Sequence, residues 1–343
     1  MLNLRQSITA VLMFLAFSFS VSSYAQTVLR VATWLPPTDN QNTIVWPTWA
    51  KWVEEATEGR VVVKLEYGLG HPKTMFQIVE DGISDASFSF HGYVPGRFTL
   101  PQIIEMPGLG VNSEATSVAL WRMYDKYFKA ENEFEDLEVL GLFSHGQGTI
   151  QSNFPVTSLD DLKGKKIRVG GGVQTYLAEA MEVTPVGAPA TKAYEMLQQN
   201  VIDGIFMPMA QQKSLRLNEV TKYITIFPAG MYMGSFSMFI NAEFMDSLSE
   251  KDQAAIRAVS GEKLSAMAGK AWDMGDLDGY KAAIAAGVDI NEVQEGSALS
   301  EQFNALMPAS DQAWLDSVAD KNIDAEAVLK ELRHEARHYN AGN

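Results

Sequence analysis

From residue 28 to residue 67 the spacing of apolar residues changes from that of a strand to that of a helix and back, which restricts the fold more than any other stretch. Residues 28–33 alternate as a strand, and Trp34-Leu35-Pro36-Pro37 stops it, because proline lacks the amide that a continuing ladder needs. Val45, Trp49, Trp52, Val53 and Ala56 share one helical face ending near Gly59, and residues 61–67 alternate again. A second unit follows, with Met75, Ile78 and Val79 marking a helix that ends near Gly82 and residues 86–90 a strand. Repeated strand–helix alternation predicts a mostly parallel sheet covered by helices, with ligands received beyond the carboxyl ends of its strands. Those ends are residues 34–37, 68–72 and 90–93.

Residues 95–101 are a turn-rich excursion, and Ala115, Val118, Ala119, Met123 and Tyr127 outline a helix. Residues 139–144 read as a strand leading into His145-Gly-Gln-Gly148, whose glycines suit a sharp passage between domains. A second α/β unit is expected beyond it, with residues 191–200 a helix and residues 201–206 and 222–227 strands, and residues 236–241 add one more strand. From Ser249, a suitable N-cap, helix formers run almost unbroken to Ala286. At 1.5 Å per residue that is on the order of 50 Å, against a domain roughly 40 Å across, so the helix is expected to be shared by two lobes. Gly261, Gly269, Gly275 and Gly279 leave room for a break, and residues 310–339 form an amphipathic tail.

Residues 1–25 read as an export signal: Arg5 supplies the positive start, residues 8–21 are mostly apolar, and Ser23-Tyr24-Ala25 is a small-x-small cleavage site before Gln26. No later stretch is apolar enough to span a bilayer, so a soluble protein outside the cytoplasm is expected, and without cysteine it has no disulfides there. Losing Arg5 makes the formal charge of −15 one unit more negative, which argues against nucleic acid as a partner. The roughly 320 remaining residues exceed what one core serves, so two domains are expected.

Asp161-Leu-Lys-Gly-Lys-Lys-Ile-Arg-Val-Gly-Gly-Gly-Val173 concentrates the chemistry. Residues 166–169 alternate as a strand, three glycines follow, and residues 173–181 are helix-like, so Arg168 stands at a strand end beside a turn that opens a helix. Amide groups and a helix dipole collect there, and a fixed guanidinium beside them suits a carboxylate held by two parallel hydrogen bonds. The alternative is that Arg168 pairs with a neighbouring acid.

Other motifs compete. His334-Glu335-Ala336-Arg337-His338 is H-E-x-x-H, the pattern of a zinc hydrolase with Glu335 as general base, although no third ligand follows it; the alternative is a solvated helix face. Gly170-Gly-Gly172 is no dinucleotide fingerprint, because Thr175 stands where the third glycine would fall. His71, His91 and His145 each follow a strand and are expected to line a crevice rather than hold a metal. Met207, Met231, Tyr232 and Phe236 suggest an apolar wall, although such residues are more often core.

Leu162-Lys-Gly-Lys-Lys-Ile-Arg-Val169, Ala193-Tyr-Glu-Met-Leu-Gln-Gln-Asn-Val-Ile-Asp-Gly204 and Glu219-Val-Thr-Lys-Tyr-Ile224 resemble the DctP-type solute-binding proteins of TRAP transporters, the tripartite ATP-independent periplasmic carriers. Gly82-Ile-Ser-Asp85, Tyr93-Val-Pro-Gly96 and Phe239-Ile-Asn241 before Leu248-Ser-Glu250 extend the match over nearly the whole mature chain. The resemblance implies a two-lobed α/β periplasmic binding protein, closing like a Venus flytrap on a ligand between lobes, with a long helix across both. Lobe I is expected at 26–146 plus about 234–272, and lobe II at 147–233 plus about 273–343. It further implies delivery of the ligand to membrane permease subunits that use a sodium gradient; a monomer without cofactor is expected, and a sensor-associated binding protein is the related alternative.

Arg168 matches the family's carboxylate-clamping arginine. Met207 departs from the pattern, standing where many members carry an asparagine; Trp34 and Phe90 stand where sugar-acid binders are polar, and Gln147 lies near a second arginine of some members. One arginine among Trp34, Phe90, Met207 and Tyr232 suits a monocarboxylate with an aromatic or aliphatic body, with His71, His91 or Gln147 available to an extra oxygen.

Overall fold

Two sheets flanked by helices organise the computed structural model, which describes residues 26–342; the export signal read at residues 1–25 lies outside the described residues. Along the chain, β1 (Thr27–Thr33), α1 (Trp46–Ala56), β2 (Val61–Tyr67), α2 (Met75–Glu80), β3 (Ala86–Phe90), α3 (Ser113–Met123) and β4 (Leu137–Ser144) come first. They are followed by β5 (Gly148–Ser152), β6 (Lys166–Val169), α4 (Val173–Ala180), β7 (Thr184–Gly187), α5 (Ala193–Gln198), β8 (Gly204–Pro208), α6 (Gln211–Ser214) and β9 (Tyr223–Ile226). Then come β10 (Ser235–Asn241), α7 (Ala242–Ser247), α8 (Glu250–Ala258), α9 (Glu262–Ala285), β11 (Asp289–Glu292), α10 (Ala298–Asn304), α11 (Met307–Ser317) and α12 (Ala325–Gly342).

The sheet orders are β2-β1-β3-β10-β4 and β11-β9-β5-β8-β6-β7. β1 lies parallel to β2 and β3, and β6 parallel to β7 and β8, as the alternating pattern predicts. The antiparallel intruders are β10 in the first sheet and β5 in the second, each the strand by which the chain arrives from the other sheet. The outward passage lies at 145–147, between β4 and β5, where the glycine-rich stretch was expected to make it. The first lobe's core is aromatic, with Trp46, Trp49, Phe88 and Phe143 fully buried. Each such side chain contributes roughly 1.5–3 kcal/mol by leaving water.

Ser249 caps α8 through Asp252 N, as expected, but the helix does not run on to Ala286. Gly261 turns left-handed at φ 68°, its amide donates to Leu140 O at 2.7 Å, and a separate 24-residue helix, α9, begins at Glu262. At 1.5 Å per residue α9 is about 36 Å long, shorter than the expected span yet long enough to pack on α3 and β4 and then on α6 and β11. Gly269 and Gly279, read as possible break points, stay helical and serve close packing. A Cβ at Gly269 would stand 2.4 Å from Ser113 O in the first lobe, and one at Gly279 1.9 Å from Met209 O in the second.

β8 starts at Gly204, not residue 201, because Asp203 is engaged ahead of it: its amide donates to Lys166 O and its carboxylate accepts from Lys166 N, both at 2.8 Å. β7 and β11 escaped the sequence reading because both are short edge strands with mostly exposed residues, so no alternation is imposed on them. No helix among the described residues is long and apolar enough to cross a membrane.

Candidate functional site

Arg168 occupies the expected place, the carboxyl-terminal half of β6, and is only 2% exposed. Its Nε donates to Ala188 O at 2.8 Å, and Nη1 lies 3.4 Å from both Phe206 O and Met207 Sδ. Among the described residues no carboxylate forms an ion pair with it, so the neighbouring-acid reading finds no partner. A guanidinium buried among carbonyls and rings keeps much of its desolvation penalty until an anion arrives.

The helix N-terminus beside it is not available for that anion. Glu105, from the first lobe and fully buried, reaches across so that Oε2 accepts from Val173 N at 3.0 Å, while Oε1 accepts from Ser235 N at 3.2 Å. Burial pushes the Glu105 carboxyl up to about 8 against the pull of these two amides, so it stays protonated at neutral pH and does not neutralise Arg168. The expectation of open amides after the glycine turn is thus corrected: α4 is capped by the opposite lobe.

Trp34, Phe90, Tyr93, His145, Phe236 and Trp272 enclose Arg168 together with Met207 and the amides of Gln174 and Gln211. The rings brace one another. Phe90 lies edge-on to Tyr93 at 5.2 Å, Trp34 stacks on Phe88 at 5.1 Å with its indole donating to Phe88 O, and Trp272 sits 6.2 Å from Phe236. Tyr93 links the lobes, since its hydroxyl accepts from Ala190 N at 2.9 Å; burial raises its pKa although Arg168 pulls the other way. His145 is buried with its pKa lowered to about 4 by desolvation, and is therefore neutral. The enclosed volume is ≈ 30 Å³, far below the few hundred Å³ of an open ligand cleft, so the lobes stand closed on the site.

Of the residues expected at the crevice, Arg168, Trp34, Phe90, His145, Met207 and Phe236 meet there. The others do not line it. His71 is exposed, its Nδ1 accepting from Lys73 N at 3.2 Å, because the turn after β2 carries it outward. His91 is turned into the first lobe, its ring nitrogens bonded to the hydroxyls of Ser235 and Ser237 at 2.7 and 3.0 Å. Gln147 lines a separate hollow beside Asp273 and Asp276. Tyr232 is fully buried behind Gly148, with no partner for its hydroxyl among the described residues. The sequence reading missed Tyr93, Gln174, Gln211 and Trp272 as lining residues; Tyr93 lay within a flagged strand end, whereas nothing local distinguishes Trp272 from a core residue of α9.

In the H-E-x-x-H segment, His334 and His338 are exposed on α12 with ring centroids 6.1 Å apart, and Glu335 Oε2 accepts from Arg122 Nη1 at 2.8 Å. Among the described residues no three His, Cys, Asp or Glu side chains are grouped to hold a metal ion. Glu335 thus fixes α12 to α3.

Comparison with known proteins places this geometry. The DctP family model, bacterial extracellular solute-binding protein family 7, matches residues 31–316. A TRAP periplasmic solute-binding protein from Bordetella bronchiseptica, solved with (R)- and (S)-mandelate, is 33% identical, with 91% of this chain and 99% of that one covered and a TM-score of 0.88. One from Rhodoferax ferrireducens, solved with copurified benzoate, is 25% identical over 93% of this chain and 100% of that one, with a TM-score of 0.85. The Comamonas testosteroni protein named outer membrane transporter protein TsaT is 28% identical over 98% of this chain and 99% of its own length.

Proposed function

Because the chain belongs to the DctP family of bacterial extracellular solute-binding proteins, the solute-binding subunits of TRAP transporters, we propose that it captures a small aromatic monocarboxylate and hands it to membrane permease subunits for sodium-driven uptake. One observation carries the choice of ligand: Arg168 is buried without a carboxylate partner inside a wall of Trp34, Phe90, Tyr93, Phe236 and Trp272. A carboxylate meeting the guanidinium supplies the missing anion, and the rings take an apolar body. A second carboxylate, as in succinate, would be desolvated against those rings with nothing to pair it. The mandelate and benzoate of the two similar structures support the same class.

On this reading the protein binds and does not catalyse, acts as a monomer without cofactor, and works in the periplasm after cleavage behind Ala25. The lobes divide at 26–146 with about 234–272, and 147–233 with about 273–343, the last helix reaching back to α3. A thermal-shift series with benzoate, mandelate, phenylacetate and succinate tests it. The aromatic acids should raise Tm and succinate should not, and Arg168→Ala should abolish the response while the protein stays folded. Equal shifts from succinate, or an unchanged response in the variant, overturn the assignment.

A further inference from the structure

A second cavity of ≈ 270 Å³ lies beside the closed site, lined by Asp39 and Asn40 from the first lobe, Lys213 and Ser214 from the second, and α9. Among the described residues a single side chain lines both spaces, that of Trp272. The partition between them is therefore its indole, which is 6% exposed. It is held from the ligand side by His145 at 5.9 Å and Phe236 at 6.2 Å. On its other side the neighbours are small, Ala271 and Gly275, and the far wall is polar: Asn40 Nδ2 donates to Ala271 O at 2.8 Å, and Lys213 pairs with Asp278 at 2.7 Å.

We propose that Trp272 sets the length limit of the acids this protein accepts: it ends the space available to the body of a carboxylate held by Arg168, and behind it a ready cavity would receive a second ring or a longer chain if the indole were removed. This rests on the reading of Arg168 as the carboxylate clamp. The reason is steric. A wall that a ligand cannot displace excludes longer homologues outright, whereas loss of apolar contact weakens a short ligand by only about 10–200-fold per missing group. The cavity behind the wall is already formed, so a truncated residue there opens space without requiring the α9 backbone to move.

The test compares the mature wild-type protein with Trp272→Ala and Trp272→Phe by calorimetric titration with benzoate and with biphenyl-4-carboxylate. Wild type should bind benzoate and give no heat with the biphenyl acid. Trp272→Ala should gain biphenyl-4-carboxylate by at least about tenfold while losing benzoate affinity, with Trp272→Phe between them. The phenylalanine variant keeps the test decisive if the alanine variant fails to fold. A variant that still binds benzoate without gaining the longer acid overturns the wall, and so does a wild type that binds both equally. If wild type is folded and binds no aromatic acid at all, the clamp reading fails and the length limit falls with it.

Discussion

Gly171 and Gly92 touch backbone to backbone across the two lobes: a Cβ on Gly171 would stand 2.1 Å from the Gly92 carbonyl oxygen. Gly171 also has φ 116°, a conformation that side chains rarely adopt, so the position demands glycine twice over. The turn that follows Arg168 is therefore also a surface on which the lobes meet. Closure can be driven by a ligand only to the extent that the closed state binds it better.

Gly171→Ala should consequently impair binding more than folding. The methyl group wedges the lobes apart at their tightest contact, and part of the ligand's binding energy is spent on forcing them together. An affinity loss of at least about tenfold is expected, with a larger radius of gyration in the presence of ligand by small-angle scattering. Wild-type affinity and compactness in the variant would show that the two glycines do not limit closure.

Asp273 and Asp276, three residues apart on α9, clip the helix to one lobe each. Asp273 accepts from Ser113 N and Glu114 N at 2.7 and 3.0 Å, at the start of α3, and Asp276 accepts from Ala210 N at 2.7 Å, ahead of α6. Removing Asp273 leaves the first-turn amides of α3 with only the Asn112 cap, which serves Ala115 N. Asp273→Ala should lower stability in urea by about 1–2 kcal/mol, the usual value of a lost N-terminal cap. A change within error would mean that water replaces the carboxylate without loss.

Much of this fold was legible because the strands around the enclosed space, β1, β3, β6 and β10, are short, largely buried runs with proline or glycine close by. Arg168 could be placed for the same reason: a strand, a triple glycine and a helix admit few geometries. His91 shows the limit. Alternation sets where a strand ends but not which way the next residue turns, and a 3-10 turn at His91–Tyr93 sends His91 to Ser235 and Ser237 and leaves Tyr93 lining the enclosed space beside Arg168. Glu105 and Trp272 were invisible for a different reason. Their roles come from contacts with Val173, 68 residues away, and with Phe236 and His145 on other elements, which no local spacing encodes.

The H-E-x-x-H segment gives a direct prediction about metal. With Glu335 bonded to Arg122, whose other nitrogens bind Glu262 at 2.9 and 3.0 Å, the segment is a helix-to-helix fastening. Exhaustive chelation should leave Tm unchanged. Glu335→Gln should cost about 1 kcal/mol or less, because the pair is partly exposed and screened by water. A Tm that falls on chelation and recovers with zinc would restore the metal reading.

Four buried groups shape the dependence of stability on pH. Burial raises Glu105 from 4.5 to about 8 and Asp276 from 3.8 to about 7, and lowers His91 from 6.5 to about 3 and His145 from 6.5 to about 4. Between pH 4.5 and 6.5 the folded protein holds the two acid protons that the unfolded chain lacks, while the unfolded chain holds the two histidine protons that the folded protein lacks, so the slopes of these four groups cancel. Above 6.5 only the acids differ, the folded state binds more protons, and stability falls as pH rises toward about 8. Below 4.5 the acids are protonated in both states, the histidines dominate, and stability falls as pH drops; Asp161, held low by the Thr157 and Ser158 amides, adds to that loss. The Tm profile should therefore show a plateau between these limits and decline on both sides. Glu105→Gln should lower the plateau, since its amide nitrogen cannot accept from a second N–H, and should flatten the alkaline decline. A Tm that climbs steadily from pH 6.5 to pH 8 would mean that Glu105 and Asp276 ionise without penalty inside the closed molecule.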